Sequence, residues 1–368
     1  MTRNITAIPV RNQASAQAPA QAGLHPAFAV AHRDWRLDHP LHNPGPCHPT
    51  QARLLGAVRI VFGLFFLVNL LLHFNPAYAA QFLPDVLHAA QASGQPAWLG
   101  HWAEHVVAAF QFVGPGRALG LMFGIETLLT LGLLSGLGFP ALGWLGLVYE
   151  LFLWSTIGGL GGPYTTGATD PGTAIVYALG FVVILLTRAW QGASWWQGDA
   201  KAPSRDALRL AFLLFGALWA FDAWWKWQPG FLGQISSFFT AAQAGQPGWI
   251  VSWIALFMLV MQAIGPFVFA ILAAAMESAV AVSVLFAHRL PVKWLRAALV
   301  LGLVYSLLLW STAEGFGGPY GPGFTGNKGD VLGTTSVYAI IFLFLLAVLW
   351  KPRQQLTGGA APHSSSTG

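Results

Sequence analysis

The 368-residue chain is poor in charge and almost without cysteine. Charged residues make up 8% of it, against about 25% in an ordinary soluble domain. That is too little to cover a water-facing surface. The single cysteine, Cys47, excludes a disulfide or a C-x-x-C couple within one chain. Residues 1–50 lack the apolar core of a secretory signal. The chain has no phosphate-binding P-loop, dinucleotide fingerprint, C-x-x-C-H haem attachment or H-E-x-x-H metal motif. Redox chemistry would therefore need a diffusible cofactor or a partner subunit.

What the chain has in excess is apolar sequence: 55% hydrophobic residues, a mean hydropathy of +0.58, and runs of about twenty apolar residues, the length of a bilayer-crossing helix. No alternating ten-residue segments suggest a barrel. The expectation is an all-α integral membrane protein of the inner membrane. The formal charge of +5 sits mostly in short loops, where Arg and Lys set topology, so it does not point to nucleic acid. Residues 1–51 are rich in Ala, Gln, Pro and His and are expected to be a flexible cytoplasmic tail. Its histidines are spaced irregularly among prolines, which fits chance better than a metal site.

One long pattern is written twice. Trp154 begins W-S-T-I-G-G-L-G-G-P-Y and Trp310 begins W-S-T-A-E-G-F-G-G-P-Y, each followed by an Asp (Asp170, Asp330) and a Gly shortly before a Tyr. Upstream, A-A-Q-A-S-G-Q-P-A-W near residue 95 returns as A-A-Q-A-G-Q-P-G-W near residue 246. The pattern predicts two four-helix repeats, 52–190 and 207–350, joined by a polar linker at 191–206 and followed by a tail at 351–368. The eight spans fall at 53–74, 117–137, 141–157, 172–190, 207–227, 267–287, 295–312 and 333–350. An interfacial helix is expected near 98–112, with 249–264 as its more apolar counterpart. With the N-terminus inside, the inner segments collect thirteen Arg and Lys against three outside, a strong positive-inside bias. Both termini would then be cytoplasmic, both glycine-rich loops would face outwards, and the repeats would be parallel.

Ionisable residues inside spans are costly and mark functional candidates. Arg59 and Arg209 lie early in the first and fifth spans, Glu126 and Glu277 in the second and sixth. One reading pairs an Arg with a Glu in each half for charge balance; another has Arg hold an anion or a quinone carbonyl while Glu moves a proton. Asp222 and Lys226 share one helical face among Trp224, Trp225 and Trp227. They form either an aromatic belt with a snorkelling lysine or an aromatic-walled quinone or anion site. The first half has His73 near that place. Glu150 has no carboxylate twin, since Ser306 stands there. The loops can present backbone amides as an oxyanion nest, with Tyr164 and Tyr320 beside it or serving as interfacial anchors. Asp170 and Asp330 fit helix caps. His101 and His105 have helical spacing but no second ligand set, so neither metal nor haem is expected.

Four spans, an early Arg, a Glu in the second span and the G-G-P-Y…D…G…Y loop before the fourth resemble the DoxX/DoxD superfamily, particularly the DoxD subunit of thiosulfate:quinone oxidoreductase. The likeness covers about residues 52–190 and 205–350. It implies oxidation of thiosulfate, or a related small sulfur anion, at the outer face, with electrons passed to membrane quinone and with a DoxA-like partner subunit. On that basis Arg59, Arg209, Lys226, Tyr164 and Tyr320 would hold the anion, Glu126, Glu277 and Asp222 would carry protons, and Trp224 and Trp225 would line the quinone. The tandem duplication departs from the single-copy pattern. Two rival classes remain: a non-catalytic anchor or assembly subunit of a redox complex, and a small-anion transporter, against which stands the lack of a helix broken at mid-membrane in both halves.

Overall fold

The computed structural model describes residues 39–42, 44, 47–74, 76–164, 168, 170–192, 200–317 and 332–350. Tyr320, Asp330, most of the second glycine-rich loop and most of both expected tails lie outside them. The described residues form twelve α-helices and no strand. These are α1 (Pro49–His73), α2 (Pro76–Gln91), α3 (Ala97–Val113), α4 (Pro115–Ser135), α5 (Ala141–Ser155) and α6 (Thr173–Thr187). Then come α7 (Arg205–Lys226), α8 (Pro229–Gln243), α9 (Gly248–Ile264), α10 (Pro266–Leu285), α11 (Val292–Ser311) and α12 (Thr334–Val348).

Local chemistry sets the ends. Pro115, Pro229 and Pro266 open α4, α8 and α10, where the locked φ suits a helix and the missing N–H has no partner to lose. Ser204 caps α7 by accepting from the Ala207 amide at 3.1 Å. The section at 76–91, expected only as polar and amphipathic, is a continuous helix through Pro84 at the cost of one backbone bond.

Helices α1, α4, α7, α10 and α11 are long and apolar enough to cross a membrane. Helices α5, α6, α9 and α12 are apolar but shorter, at 15 to 17 residues. Three expected spans are thus shorter than the sequence suggested. Thr156 leaves the helical region after α5, Gly172 and Gly333 stand at positive φ before α6 and α12, and Arg188 takes a left-handed conformation after α6.

The two halves pair their long helices alike, although α8 also packs on α10, a contact for which α2 and α4 have at most a weak counterpart. Helix α1 lies on α4 and α7 on α10, while α5 lies on α6 and α11 on α12. The halves meet through α6 against α12, with α1 also touching α12 and α6 touching α7. Helices α6 and α12 are apolar nearly all round and mostly buried, as central helices must be. Close approach needs glycine at matched places. A Cβ on Gly146 would stand 2.4 Å from the Phe181 ring, and one on Gly302 would stand 2.2 Å from Phe342.

Candidate functional site

The register of α1 against α7 follows from their buried faces. Helix α1 buries Leu55, Arg59, Phe62, Gly63, Phe66, Asn69 and His73. Helix α7 buries Leu208, Phe212, Phe215, Gly216, Trp219, Asp222 and Lys226 at the same spacing. His73 therefore corresponds to Lys226 and Asn69 to Asp222, whereas Arg59 corresponds to Phe212. This corrects the expected equivalence of Arg59 with Arg209.

Each helix carries its basic residue to the glutamate of the partner helix. In the first half, His73 Nδ1 lies 2.9 Å from both Glu126 carboxylate oxygens, and Tyr149 donates to Oε1 at 2.5 Å. In the second half, Tyr305 donates to Glu277 Oε1 at 2.6 Å. Lys226 Nζ lies 2.7 Å from Asp222 Oδ1 and 4.0 Å from Glu277 Oε2. All these side chains are buried.

The expected arginine–glutamate pairs are therefore not what the fold builds. Arg59 is fully buried but sits roughly four helical turns below His73 on α1, too far to reach Glu126. Arg209 lies at the opposite end of α7 from Lys226. Its Nε donates to the Leu41 carbonyl at 2.9 Å and its Nη2 to His42 Nδ1 at 2.7 Å.

The two clusters differ in what surrounds them. In the first half, the His73 ring stacks on Tyr78 at 4.0 Å and 18°, and Tyr78 packs on Phe82 and Phe123. In the second half the matching cluster borders a cavity of about 220 Å³. Phe231, Phe239 and Phe269 wall it, and Tyr305, Tyr338 and Lys226 reach it. Among the described residues, neither the Tyr338 hydroxyl nor Glu277 Oε2 has a hydrogen-bond partner. The small Ala273 lines the cavity and Ala274 is buried beside it; in α4, Met122 and Phe123 occupy the places matching these when Glu126 is set on Glu277.

The cavity is acidic. Among the described residues, Asp170, Asp222, Glu277 and Glu314 line it against one ammonium, Lys226. A small dianion entering there meets more negative than positive charge. A neutral ring with acceptor oxygens meets hydrogen-bond donors and a carboxyl able to exchange a proton.

Several expected site residues lie nearby but outside it. Tyr164 stacks on Trp225 at 5.1 Å and 21° and meets Phe221 edge-on, so the first-half loop docks on the end of α7. Trp224 is exposed and Trp225 half-buried, and the cavity walls come from α8 and α10 instead. Burial first, then the Asp170 and Asp222 carboxylates, push the Tyr164 phenol up to about 12.

Asp170 does not cap α6. Its Oδ1 accepts from the Gly172 amide at 2.8 Å, just ahead of the helix. In the second half Glu314 reaches α12 itself, accepting from the Thr335 amide at 3.1 Å and its hydroxyl at 2.7 Å. The loops share a strained point: Leu160 and Phe316 both hold left-handed φ, near 60°, which costs a non-glycine residue about 1–2 kcal/mol. Gly161 after Leu160 is at φ +76°, and a Cβ there would stand 2.1 Å from the Pro171 carbonyl oxygen.

His101 is exposed and lies 3.6 Å from Glu104. Among the described residues no group of three His, Cys, Asp or Glu side chains is placed to hold a metal. His73, Tyr149, Tyr305, Tyr338 and Glu314 were not singled out from sequence as site residues. A signal was present for two of them, since G-L-V-Y occurs at Tyr149 and again at Tyr305. Comparison of the chain with protein-family models, curated proteins and solved structures finds no match.

Proposed function

We propose that the chain is the membrane part of an oxidoreductase whose second-half cavity takes the headgroup of a membrane quinone. The observation that carries this is the buried Tyr305–Glu277–Lys226–Asp222 cluster bordering an aromatic-walled cavity. Quinone reduction takes up two electrons and two protons. A carboxyl beside a lysine and a tyrosine is suited to pass protons to a carbonyl oxygen, and the phenylalanines suit the ring.

The electron donor rests on the DoxX/DoxD resemblance alone: thiosulfate or a related sulfur anion at the outer face. Two thiosulfate dianions would give up two electrons as one S–S bond forms, yielding tetrathionate, while the quinone takes those electrons and two protons to become quinol. An acidic cavity disfavours a dianion, which supports a site for the anion outside it, towards the glycine-rich loops or on a DoxA-like partner. In this account α1, α4, α5, α6 and α7, α10, α11, α12 are the eight spans. The α2–α3 and α8–α9 hairpins return the chain to one side, and the loops face outwards from the inner membrane.

The test is quinone reduction by the purified full chain in lipid nanodiscs with thiosulfate and a short-chain quinone, beside the Glu277→Gln and Glu126→Gln variants. Activity lost in the first and kept in the second is expected. A folded wild-type protein that neither binds nor reduces quinone would overturn the proposal in favour of the anchor or assembly role.

A further inference from the structure

The first half is not a bystander to the second-half cavity. Asp170, from the first-half loop, lines that cavity. It also lines a second cavity of about 250 Å³ in the first half, bordered by Asp85, His88 and Trp154. Thr334, at the start of α12, likewise lines both. Between them Thr173 Oγ1 and Thr334 Oγ1 lie 2.5 Å apart, a direct hydroxyl contact between the first turns of α6 and α12. His88, which lines the second cavity, is exposed. A carboxylate and a pair of hydroxyls thus stand between the cavity bordered by His88 and Asp85 and the one that reaches the buried Glu277.

From this juxtaposition we infer that Asp170, with Thr173 and Thr334, forms a proton passage from the His88–Asp85 cavity into the second-half cavity. The inference deepens the proposed quinone site, since that reaction consumes two protons per quinol. A hydroxyl both donates and accepts, so the threonine pair can hand a proton on by reorienting. Asp170 can take a proton on one side and release it on the other.

The charged and titratable groups facing this passage come from every neighbouring element. On the second-half side, α7 brings Asp222 and Lys226, α10 brings Glu277, and Tyr305 and Glu314 border the same space. Tyr338 comes from α12, and Tyr164 shares the Asp170 loop. On the first-half side stand Asp85 and His88, both from α2. Among the described residues Lys226 is the lone ammonium in this set and is bonded to Asp222, so their balance is acidic and suits protons over anions.

The experiment follows the protonation of buried carboxyls directly. Full-length protein in nanodiscs is subjected to a rapid pH drop, and the growth of the carboxylic C=O infrared band is timed. Asp170→Asn keeps the oxygen that accepts from Gly172 but cannot carry a proton, and should slow the buried phase at least tenfold. Thr334→Val should slow it similarly, and Asp170→Glu should restore it. Unchanged rates in both Asp170→Asn and Thr334→Val would overturn the passage. Slowed protonation in a protein that never reduces quinone would uphold the passage and reject the oxidoreductase. Normal protonation with normal turnover in both variants would do the reverse.

Discussion

The two halves share one scaffold and differ at the centre. In each, the first long helix brings a basic side chain to a buried glutamate that also accepts from a tyrosine. In the first half that centre is packed by aromatic rings, with His73 stacked on Tyr78 and Tyr78 against Phe123. In the second half Phe231 takes the place of Tyr78, the Lys226 ammonium sits 5.5 Å from its ring centroid, and the small Ala273 lines the cavity. The difference teaches that a cavity at a duplicated site is decided by its neighbours rather than by the polar residues themselves. Ala273 lines that cavity, whereas Met122, at the matching place in α4, borders with Tyr149 a separate, wholly apolar pocket of about 400 Å³.

The largest effect expected from breaking this comparison comes from Lys226→Met. It leaves Asp222 and Glu277 buried without their cation, which costs about 3–5 kcal/mol. His73→Phe in the first half leaves the Tyr149 bond to Glu126 and costs about 1–3 kcal/mol. Thermal unfolding of the two variants in one detergent should therefore rank Lys226→Met clearly lower.

Tyr305→Phe removes one bond to Glu277, and a loss of about 1–3 kcal/mol follows from leaving that carboxyl under-bonded. The matched Tyr149→Phe should lose a similar amount, but only Tyr305→Phe should weaken quinone binding. Equal binding losses would mean that the halves are functionally alike.

Glu314→Ala should cost about 1 kcal/mol by stripping the first turn of α12 of its acceptor. Its first-half counterpart is Gly158, so no equivalent substitution exists there, and amide exchange at Thr335 should report the loss. The smallest effect concerns Tyr164. Its phenol is raised to about 12, so the folded state favours the neutral form. The stabilisation is complete below the ordinary tyrosine pKa of about 10 and is lost as pH climbs towards 12. Ultraviolet titration should show one late-ionising tyrosine, which Trp225→Ala returns towards 10.

Much of this comparison was legible in the sequence. The doubled W-S-T…G-G-P-Y pattern announced two related halves, and the spacing of apolar runs predicted an all-helical membrane chain. Glu126, Glu277, Asp222 and Lys226 stood out as charges within apolar runs, and the structure brings the last three together. The partners did not stand out. Arg59 and Arg209 drew attention because both are arginines early in a span, yet the repeat of buried positions sets His73 against Lys226. Register is a property of the whole buried face, and one conspicuous charge can mislead it. Tyr338 and the open cavity were not legible, because they depend on how α8, α10 and α12 converge over long sequence separations.

The central claim, that the second-half cavity is the working site, is tested most directly by quinone binding to the full chain in nanodiscs, followed by tryptophan quenching. Ala273→Met gives α10 the side chain that α4 already carries, and Met122→Ala is its mirror. Ala273→Met should weaken binding at least tenfold, while Met122→Ala, though it lowers the melting temperature by truncating a buried side chain, should leave binding within about twofold. Binding unaffected by Ala273→Met, or abolished by Met122→Ala, would contradict the central claim.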